Sequence, residues 1–300
     1  MNDRSTGVPA AVSLPEPGLA NGDIGRTARV GWGAMLGRLL WVFFIFYSLL
    51  PLIATALFSL STRWMTTVLP EGLGLDSYAA MLREEQFLPS LLRSMMLASG
   101  TLVIVTVLCV PLLTWIHIRA PRLGPPAEVI SLIPFALPWV VVALALVRLY
   151  GDVYPRILNT PLLLLLAHGA VSIPYMYWAL DNNLRAINAR SLYEAGATLG
   201  ARWDQTLRYA LLPNLGPGLT TGGMLVFASS FGEYALARLL VGAGWQTLPV
   251  WQATLINRDA RITSAVTVVG IAVAVLASVA ITLWASQLRG EAAAGADEGR

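Results

Sequence analysis

From about residue 39 to residue 286 the chain alternates long apolar runs with short polar connections. Six runs stand out, over residues 39–60, 94–115, 127–148, 160–180, 219–240 and 263–286. Each is close to the roughly 20 residues that an α-helix needs to cross a hydrocarbon core. The pattern predicts an all-α integral membrane protein with six transmembrane helices. Pro134 and Pro138 fall inside the third run and Pro174 inside the fourth. Proline within a span frees a backbone carbonyl that neighbouring helices or a water-filled path must satisfy, which places these helices in the bundle interior. Residues 1–34 are rich in Gly, Pro and Ala without periodicity and read as a disordered cytoplasmic tail. The first apolar run starts too late and is too long for a signal peptide. The membrane domain then spans residues 35–288, and 289–300 form a cytoplasmic C-terminal tail.

Composition agrees with the pattern. Of 300 residues, 56% are hydrophobic and 12% charged, and the mean hydropathy is +0.65. A soluble domain carries about 25% charged residues, so lipid is the main solvent here. The net charge of +3 comes without a basic run or stripe, which argues against a nucleic-acid partner. All 20 basic residues are Arg. Without Lys the chain holds no standard P-loop and no Schiff-base amine. If ATP drives this protein, another subunit binds and hydrolyses it. The single cysteine, Cys109, sits in an apolar run and forms no intrachain disulfide. His117 and His168 have no clustered Cys, Asp or Glu nearby in sequence, so a metal or His-based catalytic site is not expected.

With both termini inside, twelve Arg fall in cytoplasmic segments and seven outside, while Arg238 lies within the fifth run. The excess favours cytoplasmic termini, although Arg258 and Arg261 sit where the rule would not put them. No internal repeat marks a fused double-length chain.

The longest internal polar connection, residues 181–218, carries the chemistry. Ser191 and Glu194 have capping-box spacing, and Gly200 suits a helix C-cap. Leu192, Ala195 and Leu199 would line one face of that short helix. A second helix is expected over about 201–212, with Trp203, Leu207, Ala210 and Leu211 at helical spacing, Asp204 and Arg208 as an i, i+4 pair, and Pro213 ending it. Helices this short are marginal in water unless they pack on a surface.

Glu194-Ala195-Gly196, then Gly200, then Leu212-Pro213 resemble the EAA loop of binding-protein-dependent ABC importer permeases. Two positions depart from that pattern, with Gly196 in place of Ala and Ala210 in place of Ile. The resemblance covers roughly residues 36–287. It implies the type I permease fold and a coupling loop at about 184–216, with Ser191, Glu194, Ala195, Gly196, Gly200, Leu212 and Pro213 as ATPase-coupling residues. It also implies a separate ATP-binding subunit carrying ATP and Mg, with no cofactor on this chain. Its further partners would be a second permease half, a different chain being favoured, and an extracytoplasmic binding protein. The location would be the bacterial inner membrane. The stretch Ser61-Thr62-Arg63-Trp64 and the segment from Gly244 to Pro249 resemble permeases of the spermidine/putrescine, aminoethylphosphonate and ferric-iron group.

Glu233 and Arg238 are the ionisable residues of the fifth run. An intramembrane carboxylate is costly unless it faces an interior or a partner, which makes Glu233, with Tyr234, a candidate for the substrate path and favours a polyamine-like cation. The competing reading is a structural contact, with Arg238 snorkelling to water. Asp181 reads as a solvated cap at the end of the fourth run. Two other classes compete with the importer. A secondary transporter would call for more intramembrane carboxylates and an inverted repeat. An intramembrane enzyme would need a nucleophile–base pair, and Ser172 with His168 has no third partner in view.

Overall fold

The computed structural model describes residues 32–297 except 65, 66 and 68, with side chains described over 35–287. Of the expected tails, residues 1–31 and 298–300 lie outside the described residues, while helix extends back to Trp32 and, through most of the expected C-terminal tail, on to Asp297. Five longer helices come first to notice: α1 (Trp32–Leu60), α3 (Phe87–Arg119), α6 (Pro161–Ala186), α10 (Gly216–Phe231) and α13 (Ala260–Asp297). Four of these, all but α10, are individually long and apolar enough to cross a membrane. Between α1 and α3 lie a small antiparallel pair, β1 (Ser61–Arg63) and β2 (Gly72–Leu73), and a short helix α2 (Asp76–Arg83).

All six apolar runs are helical, but two are broken. The third forms α4 (Gly124–Ala136) and α5 (Trp139–Val153), bent by 91°. Leu137, between them, is extended at φ −104°, ψ 125°. Proline forces that geometry, since the ring of Pro138 clashes with an α-helical residue before it. Pro134, Pro111 and Pro174 are instead absorbed inside helices. The fifth run forms α10 and the six-residue α11 (Ala235–Leu240), separated at Gly232 to Tyr234.

The chain forms two compact units, which divide between Pro51 and Leu52. In the first unit, the part of α1 up to Pro51 exposes an almost unbroken apolar surface from Leu39 to Tyr47. In the second unit, α3, α6 and α10 pack on one another, and α13 lies along α10. Val105, Cys109, Leu113, Met176, Leu180, Leu219 and Val226 fill the space between them. Gly218 and Gly222 let α10 approach α6. A Cβ at Gly222 would stand 2.7 Å from the Met176 Sδ and 3.2 Å from its Cα. One at Gly218 would stand 3.0 Å from the Ala179 carbonyl. This is the small-residue spacing by which membrane helices gain dispersion contacts where burial offers no hydrophobic gain.

Two ends of the bundle are defined by contacts. Arg261, near the start of α13, donates to the Thr62 carbonyl at 2.6 Å beyond the end of α1, and the Leu248 amide donates to Ser94 near the start of α3. The opposite end gathers the C-termini of α3 and α6 and the loop that follows.

Candidate functional site

The loop between α6 and α10 folds as the expected pair of short helices, but with different details. The first, α7 (Ala189–Thr198), begins three residues earlier than the sequence implies, with Asn188 and not Ser191 at its N-cap. Asn188 precedes it at φ 48°, a left-handed conformation that Asn tolerates. The capping box expected of Ser191 and Glu194 therefore does not form. Ser191 makes no side-chain hydrogen bond among the described residues, and Glu194 instead accepts from Arg190 at 2.8 Å, one turn back. Gly200 does end the helix, at φ +79°. The Gly200 amide reaches the Ala197 carbonyl at 3.0 Å and the Ala201 amide reaches Gly196 at 3.0 Å, the two bonds of a Schellman cap.

The buried side of α7 is also shifted. Ala189, Leu192 and Tyr193 pack into the α3–α6–α10 core, whereas Ala195 is exposed and Leu199 is 88% exposed. Gly196 faces inward. A Cβ there would meet the Thr206 Oγ1 at 2.9 Å, so this departure from the motif seats the second short helix against α7. That helix, α8 (Trp203–Thr206), opens with the Arg202 amide donating to the Gln205 side chain at 2.8 Å.

Pro213 does not terminate the helical path. A π-helical turn, Leu207–Leu211, leads into α9 (Leu212–Asn214), and Pro213 sits in the first turn of α9. The wider turn relieves the usual clash of a proline ring with the preceding turn. The Asn214 side chain donates to the Ala210 carbonyl at 2.8 Å. Leu212 packs against the bundle core. Asp204 pairs with Arg202 at 3.4 Å rather than with Arg208, which lies over the Tyr209 ring. Gly196, Leu199, Gly200, Gln205, Thr206 and Tyr209 line a groove of about 460 Å³ between the two short helices. Tyr209 is 71% exposed at its edge.

Contacts that the sequence did not reveal hold this loop on the bundle. Arg119, the last residue of α3, donates to the Tyr193 hydroxyl at 2.7 Å. Tyr193 meets Trp203 edge-on at 5.5 Å. Two residues earlier on α3, His117 contacts Asp181 at 3.2 Å, and Asp181 holds Arg185 at 2.8 Å. Asp181 is thus a buried inter-helix tie and not a solvated cap.

Glu233 lies at the break between α10 and α11, 4% exposed. Its carboxylate accepts the Leu236 amide at 2.7 Å and the Ala237 amide at 3.1 Å, and His168 Nε2 stands 3.3 Å away. The break leaves the first amides of α11 without helical partners, and the carboxylate supplies them. Tyr234 is 44% exposed, so the two candidate path residues face different surroundings. Among the described residues, no three His, Cys, Asp or Glu side chains group to hold a metal.

Comparison with known proteins places this architecture. Residues 118–288 match the family described as "Binding-protein-dependent transport system inner membrane component", which is more than half of the chain. The "Putative 2-aminoethylphosphonate transport system permease protein PhnV" of Salmonella typhi is 26% identical over 75% of this chain and 84% of that protein. The "Molybdenum transport system permease protein ModB" of Mycobacterium tuberculosis is 31% identical over 51% of this chain and 62% of that protein. The "Probable sulfate transport system permease protein cysT" of Chlorella vulgaris is 37% identical over 34% of this chain, and the match spans 42% of that relative. The crystal structure of a bacterial ABC transporter involved in the import of the acidic polysaccharide alginate superposes with a TM-score of 0.65 at 17% identity. It covers 88% of this chain and 99% of that one, and shares the type I permease fold. The chain belongs to the inner-membrane components of binding-protein-dependent transport systems, the non-enzymatic permease subunits of ABC importers of small solutes.

Proposed function

We propose that α7 and α8 are the element through which a separate ATP-binding subunit, carrying ATP and Mg, drives this permease. The observation that carries the reading is Leu199. It projects almost fully into solvent from a rigidly capped helix, beside a groove edged by an exposed tyrosine. Apolar surface held out in this way is costly unless a partner covers it. Ser191, Glu194, Ala195, Gly196, Gly200, Leu212 and Pro213 serve as coupling residues in this proposal. Glu194 and Ala195 offer the contact surface, Gly196 and Gly200 shape it, and Leu212 and Pro213 anchor it. In the complete importer a second, different permease chain and an extracytoplasmic binding protein would complete the assembly, with both termini of this chain in the cytoplasm. The test is recovery of the ATP-binding subunit on immobilised Leu199→Asp chain at equal membrane levels. Recovery equal to wild type would remove this surface from the dock.

For the solute we propose a small anion of the phosphonate class. The leaning towards a polyamine-like cation stood on Glu233, whose oxygens face two amides and a histidine. The named relatives carry aminoethylphosphonate, molybdenum and sulfate systems in their descriptions. The break at Leu137 and Pro138 adds a physical argument. It lies within a span, its residues are exposed, and irregular backbone at that depth is tolerated only against protein or a watery path. There the positive end of the 15-residue α5 would favour an anion. Uptake of labelled 2-aminoethylphosphonate and of labelled spermidine by cells carrying the whole system discriminates the two. Spermidine uptake alone would reverse the assignment.

A further inference from the structure

The loop is joined covalently to α6 and α10, yet its firmest attachment is to α3. Both ends of α7 are backbone bends in left-handed conformations, Asn188 at φ 48° and Gly200 at φ +79°. Between them, the Tyr193 ring is held from two sides. The Arg119 guanidinium lies 5.2 Å from the ring centre while donating to the hydroxyl at 2.7 Å, and the edge-on Trp203 indole is 5.5 Å away. A charged donor at the C-terminal end of α3 is held there by the helix dipole as well. Ala189 and Leu192 pack into the same core cluster as Leu113 and Ile118 of α3. One half-turn back along α3, His117 faces Asp181 of α6 at 3.2 Å, and its other ring nitrogen is 3.0 Å from the Leu113 carbonyl. The end of α3 is therefore a junction, with the short helices on one side and α6 on the other.

We propose that Arg119, Tyr193 and Trp203 form a positioning clamp that makes α3 the first span to follow a displacement of α7, with His117 and Asp181 passing the motion on to α6. This rests on the docking reading above, because the displacement is the partner's. The motion follows packed side chains and a charge-assisted bond, contiguous contacts of the kind that couple distant sites.

The experiment has two arms, both using the full chain with Cys109→Ser in lipid nanodiscs. Tyr193→Phe removes only the hydroxyl acceptor and leaves the ring on Trp203; Arg119→Gln removes the charge. In the first arm the chain stands alone, with spin labels at the exposed positions Leu112 on α3 and Ala197 on α7. A narrow distance distribution that broadens in both variants is expected, and an unchanged distribution overturns the clamp. In the second arm the ATP-binding subunit and the second permease chain are added, with labels on this chain at Leu112 and Leu283, and nucleotide is trapped with vanadate. The variants are expected to retain the subunit and its ATP hydrolysis while losing most of the wild-type shift on trapping. A full shift in the variants overturns the transmission role even if the first arm succeeds. Failure of the wild-type chain to bind the subunit overturns the docking reading by itself, and the first arm still decides the clamp.

Discussion

His168 and Glu233 are 65 residues apart in sequence, yet His168 Nε2 lies 3.3 Å from the Glu233 carboxylate, with both side chains at most 2% exposed. The pair joins α6 to the break in the fifth apolar run. Trp139, at the start of α5, packs edge-on against the same imidazole at 6.2 Å, so both interrupted runs meet at this histidine.

Removing the histidine takes one of three hydrogen-bonding partners from the buried Glu233 carboxylate, which keeps the Leu236 and Ala237 amides. His168→Leu is expected to destabilise the chain by about 1–3 kcal/mol. Replacing both residues with Leu should also be costly, because the Leu236 and Ala237 amides then lose their acceptor. Glu233→Gln keeps one carbonyl oxygen for those amides and should be milder than Glu233→Leu. Thermal unfolding of the purified chain in detergent measures the series, and a His168→Leu chain that melts like wild type would refute the pairing.

Close approach of α10 to α6 has its own test. Gly222→Val introduces atoms where a Cβ already lies 3.2 Å from the Met176 Cα, and overpacking of this kind costs about 1–3 kcal/mol. Gly124→Ala, with no atom within 4 Å of the new Cβ, is the matched control. The melting temperature should drop for the first variant and hold for the second. Equal melting would mean that the two helices sit further apart than described.

The cap at Gly200 separates backbone from contact effects. No atom lies within 4 Å of a Cβ built there, so any cost of substitution comes from φ +79°. Gly200→Val should cost about 1–2 kcal/mol in that conformation, while Gly200→Asn, which tolerates it, should cost less. Recovery of the ATP-binding subunit should therefore follow wild type, Asn, Val in descending order. If Val binds as well as Asn, the left-handed turn does not shape the dock.

Orientation is accessible to a labelling experiment. Single cysteines at exposed Thr198 and Ala243, in a Cys109→Ser background, should react with an impermeant maleimide from opposite faces of inverted and right-side-out vesicles. Thr198 is expected on the cytoplasmic face. Labelling of both from one face would contradict the placement of the loop and of the α11–α12 connection, where α12 covers Leu248–Leu255.

Much of the loop was legible in the sequence because capping is local. Gly200 announces a left-handed residue wherever a helix must stop, and the motif from Glu194 to Pro213 kept its spacing. The capping box failed because Asn188, able to take φ 48°, started the helix earlier and left Glu194 within reach of Arg190. Pro213 misled for a related reason, since a π-helical turn ahead of it removed the conflict that usually ends a helix.

By itself, the sequence determined that the chain lives in lipid, where its helical segments lie, that it has no P-loop of its own, and which loop resembles a coupling element. These follow from hydrophobicity, propensity and spacing, which act over a few residues. Only the tertiary structure decided that Glu233 meets His168, that Asp181 ties α3 to α6, and that Tyr193 hangs on Arg119. Each of those contacts joins residues far apart in the chain. It depends on how helices rotate and how closely glycines such as Gly222 let them pack, and no local pattern encodes that choice of face.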